Sequence, residues 1–154
     1  MELYIIRHAQ SSNNVLTDSS RRVTDPPLTT IGEQQAQLVA QHLTAVPEAS
    51  AHLHPVAAHH NRAGFALTRL FTSPMRRALQ TARPIGAALG RQPEVWVDIH
   101  ETGGMFLDHH DGRGPVGTPG LTRVEIAAPA QSVGSGWLPW SRPRSPIGRH
   151  RASA

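Results

Sequence analysis

The sequence predicts an α/β fold: a mostly parallel sheet flanked by helices. Three observations carry this reading. Short apolar runs bounded by polar residues stand at 3–6, 67–71 and 95–99, the pattern of buried strands. Two longer stretches between them open with helix-start residues. The resulting order of strand, helix, strand, helix, strand favours parallel pairing with helical crossovers. A chain of 154 residues, 38% of them hydrophobic, is long enough for one domain with its own core.

The first run, Leu3-Tyr4-Ile5-Ile6, stops at Arg7-His8, and Ala9, Gln10, Ser11, Ser12, Asn13 and Asn14 follow at once. In open parallel sheets ligands bind beyond the carboxyl ends of the strands. Arg7 and His8 would therefore arrive where chemistry is done. A guanidinium can clamp a phosphate or carboxylate, and a neutral imidazole can attack or move protons. The plainer alternative is a strand followed by an ordinary polar loop.

Thr30, as N-cap, puts Glu33 at the third helical position, a capping box. Alanine, leucine and glutamine continue the helix to Leu43, and Pro47 should end it. Residues 47–64, rich in Ala, His and Pro, read as a surface insertion. The second strand, within 66–72, runs into Ser73-Pro74, with serine at the cap and proline at the first helical position. Gly90 suits the C-terminal cap, and Pro84 should kink the helix. Val95-Trp96-Val97-Asp98-Ile99 is the third strand. Residues 103–120 read as loop, and 122–128 as one or two helical turns. No further element is expected beyond Pro129.

Composition narrows the chemistry. The sequence contains no cysteine and no lysine, so all 15 basic residues are arginine. Disulfides, thiolate metal sites and cysteine nucleophiles are excluded within it, as are a Walker-type phosphate loop and a Schiff-base lysine. No window approaches the ~20 apolar residues of a membrane span. The first residues lack the pattern of a secretory signal, so a cytoplasmic protein is expected. Formal charge is +4, and no acidic residue follows Glu125, whereas Arg142, Arg144, Arg149 and Arg151 do. Residues 129–154 therefore read as an irregular, disordered basic tail rather than a nucleic-acid reader.

Three strand ends gather functional groups on one sheet edge. The first brings Arg7-His8, the second leads into Arg76 and Arg77, and the third ends at His100-Glu101. A helix start at Ser73 adds N–H donors for an anion. Phosphoryl transfer from a monoester needs such a set. Arginines neutralise the phosphoryl oxygens, a neutral imidazole attacks phosphorus, and an acid protonates the leaving oxygen. Taken singly, Arg76 and Arg77 could be solvated helix residues and Glu101 a surface charge.

The spacings support a family resemblance. Arg7-His8-Ala9-Gln10-Ser11 with Asn14 resembles the R-H-G/A-E/Q-S/T-x-x-N signature of the histidine phosphatase superfamily, the phosphoglycerate mutase-like proteins. Asp25-Pro26-Pro27-Leu28-Thr29 with Gly32, Gln35 and Ala36 is similar to its PLT-x-x-G-x-x-QA segment. The stretch from Ser73 and Pro74 through Arg77, Ala78, Gln80, Thr81 and Ala82 is similar to its SP-L/M-x-RA-x-QTA helix. Glu101-Thr102-Gly103-Gly104, then Gly120-Leu121-Thr122-Arg123 and Glu125, resemble one phosphatase-like branch, with Gly136-Trp137 as a further echo.

The resemblance implies a three-layer sandwich and a phosphatase acting on small-molecule phosphate esters. His8 would be the nucleophile that becomes phosphohistidine. Arg7 and Arg77 would bind the phosphoryl group, with Ser11 and Asn14 as further contacts. Glu101 would be the acid for the leaving alcohol and then the base for water. No metal or other cofactor is implied, and no membrane partner; the oligomeric state is left open. Arg76 has no counterpart in the motif and should face solvent or the pocket rim. His100 either lines the pocket or is structural.

One part of the family pattern is missing. A later strand of the family ends in His-Gly, and its histidine completes the phosphate pocket. The 154 residues contain no His-Gly pair, and His150 is preceded by Pro143, Arg144, Ser145 and Pro146 rather than by an apolar strand. The expectation is a truncated or frame-shifted member lacking the C-terminal part of the fold, with an incomplete domain at 1–128. Activity should be reduced or absent. The alternative is a catalytically inactive phosphate-binding or interaction module on the same scaffold. Six of the ten histidines stand in close pairs, at 52/54, 59/60 and 109/110, and read as surface residues. Asp108-His109-His110-Asp111 is the best local candidate for a divalent ion.

Overall fold

The first helix begins where a threonine hydroxyl replaces a missing backbone partner. In the computed structural model, which describes residues 2–45, 65–100 and 105–127, α1 spans Thr30–Thr44. Its N-cap is Thr29, whose Oγ1 accepts the Gly32 N–H at 3.0 Å. The cap thus falls one residue before Thr30. Glu33 becomes the fourth helical residue, too late for the expected capping box. The helix ends at Thr44, and Pro47 and the insertion at 47–64 lie outside the described residues.

The second helix, α2 (Arg76–Leu89), departs from the local reading at its start. Ser73 and Pro74 precede the helix, and Met75 occupies the cap with no side-chain bond. A distant carboxylate supplies the cap instead: both oxygens of Asp25 accept the Arg76 N–H, at 2.9 and 3.2 Å. At the other end Gly90 has φ 59°, and the Arg91 N–H returns to the Gly86 carbonyl at 2.9 Å. That left-handed turn is one glycine adopts without a Cβ penalty. Pro84 lies inside the helix and is buried.

The two helices pack against one another. Ala40 and Leu43 of α1 meet Ile85 of α2, and Val39, Phe65, Leu67, Leu70 and Leu89 close around them. Spacings of three and four residues place these groups on single helical faces.

The sheet is smaller than expected. β1 (Phe71–Thr72) pairs in parallel with β2 (Glu94–Val95), in the register Phe71↔Glu94 and Thr72↔Val95. The parallel pairing agrees with the sequence, but only the ends of the runs 67–71 and 95–99 enter the ladder. Residues 3–6 form no strand at all, and Leu3 and Ile5 are 79% and 90% exposed. Tyr4 stands edge-on to Phe65, with ring centroids 4.9 Å apart. A strand is held by ladder partners, and among the described residues none pairs with this segment.

A second correction falls in the stretch read as loop. β3 (Phe106–Asp108) and β4 (Pro115–Gly117) form an antiparallel hairpin. His110, Gly112 and Gly114 take positive φ in its connection. The Asp108 and Asp111 carboxylates accept the N–H groups of His110 and Arg113, at 2.8 and 3.1 Å. Strands of three residues among glycines carry too little apolar pattern to be read from sequence. The expected turns at 122–128 appear as α3 (Arg123–Ala127), whose start is a reciprocal capping box. Glu125 accepts the Thr122 N–H at 2.7 Å, and Thr122 Oγ1 accepts the Glu125 N–H at 3.3 Å. The described residues thus make a mixed α/β unit. The tail beyond residue 128, Gly136-Trp137 included, lies outside them.

Candidate active site

The polar loop after His8 is closed on itself by one asparagine. Ser11, 2% exposed, directs both its N–H and its hydroxyl to Asn14 Oδ1, each at 2.9 Å. The Asn14 N–H returns to the Ser11 carbonyl at 2.9 Å, shaping a 3-10 turn at Ser12–Val15. Both residues were singled out as phosphate contacts. Their bonds here are to each other, and they set the shape of the loop.

This loop is bound along its length to the segment 25–35. The Ser12 N–H reaches the Pro27 carbonyl at 2.9 Å, and the Thr29 N–H reaches the Gln10 carbonyl at 3.0 Å. The Gln10 N–H goes to Gln35 Oε1 at 2.9 Å. Asn13 and Val23 exchange two further bonds, at 2.7 and 3.1 Å. Gly32 is required by this closeness, because a Cβ there would run into the Gln10 carbonyl.

Helix α2 holds the other side. The Leu28 N–H donates to Gln80 Oε1 at 2.8 Å. The Ala9 N–H donates to Thr81 Oγ1 at 3.0 Å, and the Thr81 hydroxyl donates to the Arg77 carbonyl at 2.8 Å. Asp25 caps the same helix at Arg76. Three segments far apart in sequence are therefore locked into one unit.

Within it, His8 is half-buried, and its Nδ1 lies 2.7 Å from the Ala9 carbonyl. A carbonyl only accepts, so the proton sits on Nδ1. The neutral ring then carries its lone pair on Nε2. Arg77 is 7% exposed, whereas Arg7 and Arg76 are exposed, the latter as expected. Ala9, next to His8, is one hydrogen-bonded residue away from the turn that begins at Arg77. His100 is exposed. Glu101 lies outside the described residues.

Asp25 is the site's perturbed titratable group. Burial pushes its carboxyl above the usual carboxylate range, opposed by the Arg76 N–H and by the charges of Arg77 and Arg76. Both arginines therefore act on the carboxylate that caps their helix. Asp25, Gln35, Gln80 and Thr81 were visible in the motifs but carried no role. Their clue was polar side chains recurring beside buried positions. Among the described residues no three His, Asp or Glu side chains gather to hold a metal ion. At 108–111 the nearest pairing is His110 Nδ1 to Asp108 Oδ1, 3.9 Å.

The described residues thus form a mixed α/β unit in which the loop after Arg7-His8 is bound to helix α2. The particular family follows from comparison. The family model of the histidine phosphatase superfamily (branch 1) matches residues 3–63 and 52–110. The chain belongs to this superfamily. An uncharacterized protein of Picosynechococcus sp. is 34% identical over 110 residues, 70% of this chain and 54% of that protein. A PE-PGRS family protein of Mycobacterium tuberculosis is 33% identical over 104 residues, 67% of this chain and 15% of that protein. The chain thus spans about half the length of the first relative and less of the second. No helix among the described residues is long and apolar enough to cross a membrane.

Proposed function

We propose that the chain is a phosphate-monoester hydrolase acting through a phosphohistidine on His8. The observation that carries this reading is the His8 ring. Its Nδ1 proton is held by the Ala9 carbonyl, on a loop tied through Thr81 to the turn bearing buried Arg77. The lone pair on Nε2 attacks phosphorus and forms a P–N bond while the P–O bond of the ester breaks. The leaving oxygen takes that electron pair and a proton from Glu101. Water, deprotonated by Glu101, then attacks phosphorus and releases phosphate and neutral His8. Arg7 and Arg77 neutralise the phosphoryl oxygens. Ser11 and Asn14 contribute by holding the loop in shape. The substrate is a small phosphate ester, and the full three-layer sandwich belongs to the same reading.

A second reading is a binding module without turnover on the same scaffold. Incubation with ³²P-labelled substrate and acid-free gel analysis separates the two. Label on the chain that disappears in His8→Ala supports the hydrolase. Phosphate binding with no label supports the module. Turnover of p-nitrophenyl phosphate that persists in His8→Ala would overturn the proposed role of His8.

A further inference from the structure

We infer that Thr81 is a positioning residue for His8, fixing the tautomer and orientation of its imidazole through Ala9. The inference deepens the proposed role of His8 and rests on it. Thr81 is buried on α2, and its hydroxyl has both kinds of bonding capacity in use. Its hydrogen goes to the Arg77 carbonyl at 2.8 Å, the helical residue four positions earlier. With the hydrogen committed there, the hydroxyl rotor is fixed and an oxygen lone pair faces the Ala9 N–H, 3.0 Å away.

Ala9 is in turn the residue whose carbonyl takes the His8 Nδ1 proton at 2.7 Å. One residue therefore carries both bonds: its N–H is anchored to the helix and its C=O orients the ring. The anchor matters because the segment before it offers little. Residues 3–6 have no ladder, and Leu3 and Ile5 are exposed. In a chain whose leading strand held the loop from behind, such a bond would be one of many. Here Thr81 ties the nucleophile's neighbouring residue to the helix bearing Arg77. The Thr81 hydroxyl bonds run to Arg77 and to Ala9, so it acts on His8 through Ala9.

The test reads the imidazole directly by ¹⁵N NMR at a pH where His8 is neutral, with its resonances assigned by their loss in His8→Gln. In the wild type Nδ1 should be the protonated nitrogen and Nε2 the unprotonated one. Thr81→Ser keeps the hydroxyl and should keep this pattern. Thr81→Val keeps the shape, loses the hydroxyl, and should shift His8 to a mixture of the two tautomers. A folded Thr81→Val chain with the wild-type pattern would overturn the inference, as would a folded Thr81→Ser chain with the mixed one. Should Thr81→Val not fold, amide exchange in the wild type decides. Slow exchange of the Ala9 N–H supports the anchor, and exchange at the rate of an open loop refutes it. These readouts are independent of turnover. Failure of the wild type to take up ³²P would count against the hydrolase alone, and the NMR result would still judge the anchor.

Discussion

Gly32 shows how a single missing Cβ sets the spacing of the site. On helix propensity alone, Gly32→Ala should gain about 1 kcal/mol. The new methyl, however, would meet the Gln10 carbonyl, a backbone atom that no rotamer change can move aside. Overpacking of this kind costs about 1–3 kcal/mol, so the clash should prevail. Gly32→Ala should lower the urea midpoint and weaken phosphate binding, because the carbonyl that must shift belongs to the loop of His8. A raised midpoint would show that loop and helix are less closely packed than described. The sequence marks Gly32 only as one letter of a motif; its neighbour in space is 22 residues away.

Helix α2 shows the same dependence at the level of an element. Its body and its Gly90 end follow from local pattern, but its start depends on Asp25, 51 residues away. Burial raises the Asp25 carboxyl, so in that window the folded chain holds the proton more firmly than the unfolded one. Its contribution to stability is then greatest in acid and declines as pH rises through the shifted range. Asp25→Asn keeps an oxygen for the Arg76 N–H and removes the titration. Relative to wild type, the variant should therefore gain stability as pH rises from about 4 to 7. Urea midpoints at the two pH values measure this, and the opposite trend would mean that Arg76 and Arg77 outweigh burial. Gln80→Leu leaves the Leu28 N–H without its acceptor. Such a loss should lower stability by about 1–3 kcal/mol, read from the same denaturation curves.

At the largest scale, the described residues cohere through the helix pair more than through the two-stranded sheet. Ile85 is 1% exposed at the centre of the cluster with Ala40 and Leu43, while Leu3 and Ile5 face solvent. Ile85→Ala should cost about 2–5 kcal/mol. Leu3→Ser and Ile5→Ser should each stay within about 0.5 kcal/mol, as surface changes do. Equilibrium unfolding of the three variants tests this contrast. A loss at Ile5 comparable to that at Ile85 would show residues 3–6 covered in solution, against the arrangement described.

The sequence by itself determined the α/β class, both long helices, the parallel sense of β1 and β2, and the family. Each is encoded locally, in periodicity, end residues or short motifs whose order along the chain is specific. Only the tertiary structure decided that Thr29 rather than Thr30 caps α1, that Asp25 rather than Ser73 starts α2, and that Thr81 anchors Ala9. It also decided that residues 3–6 stay out of the sheet and that 106–117 form a hairpin. The physical reason is common to all of these. A hydroxyl, a carboxylate or an apolar run has several possible partners in its own sequence neighbourhood. Which one it takes is set by groups that arrive from elsewhere in the fold.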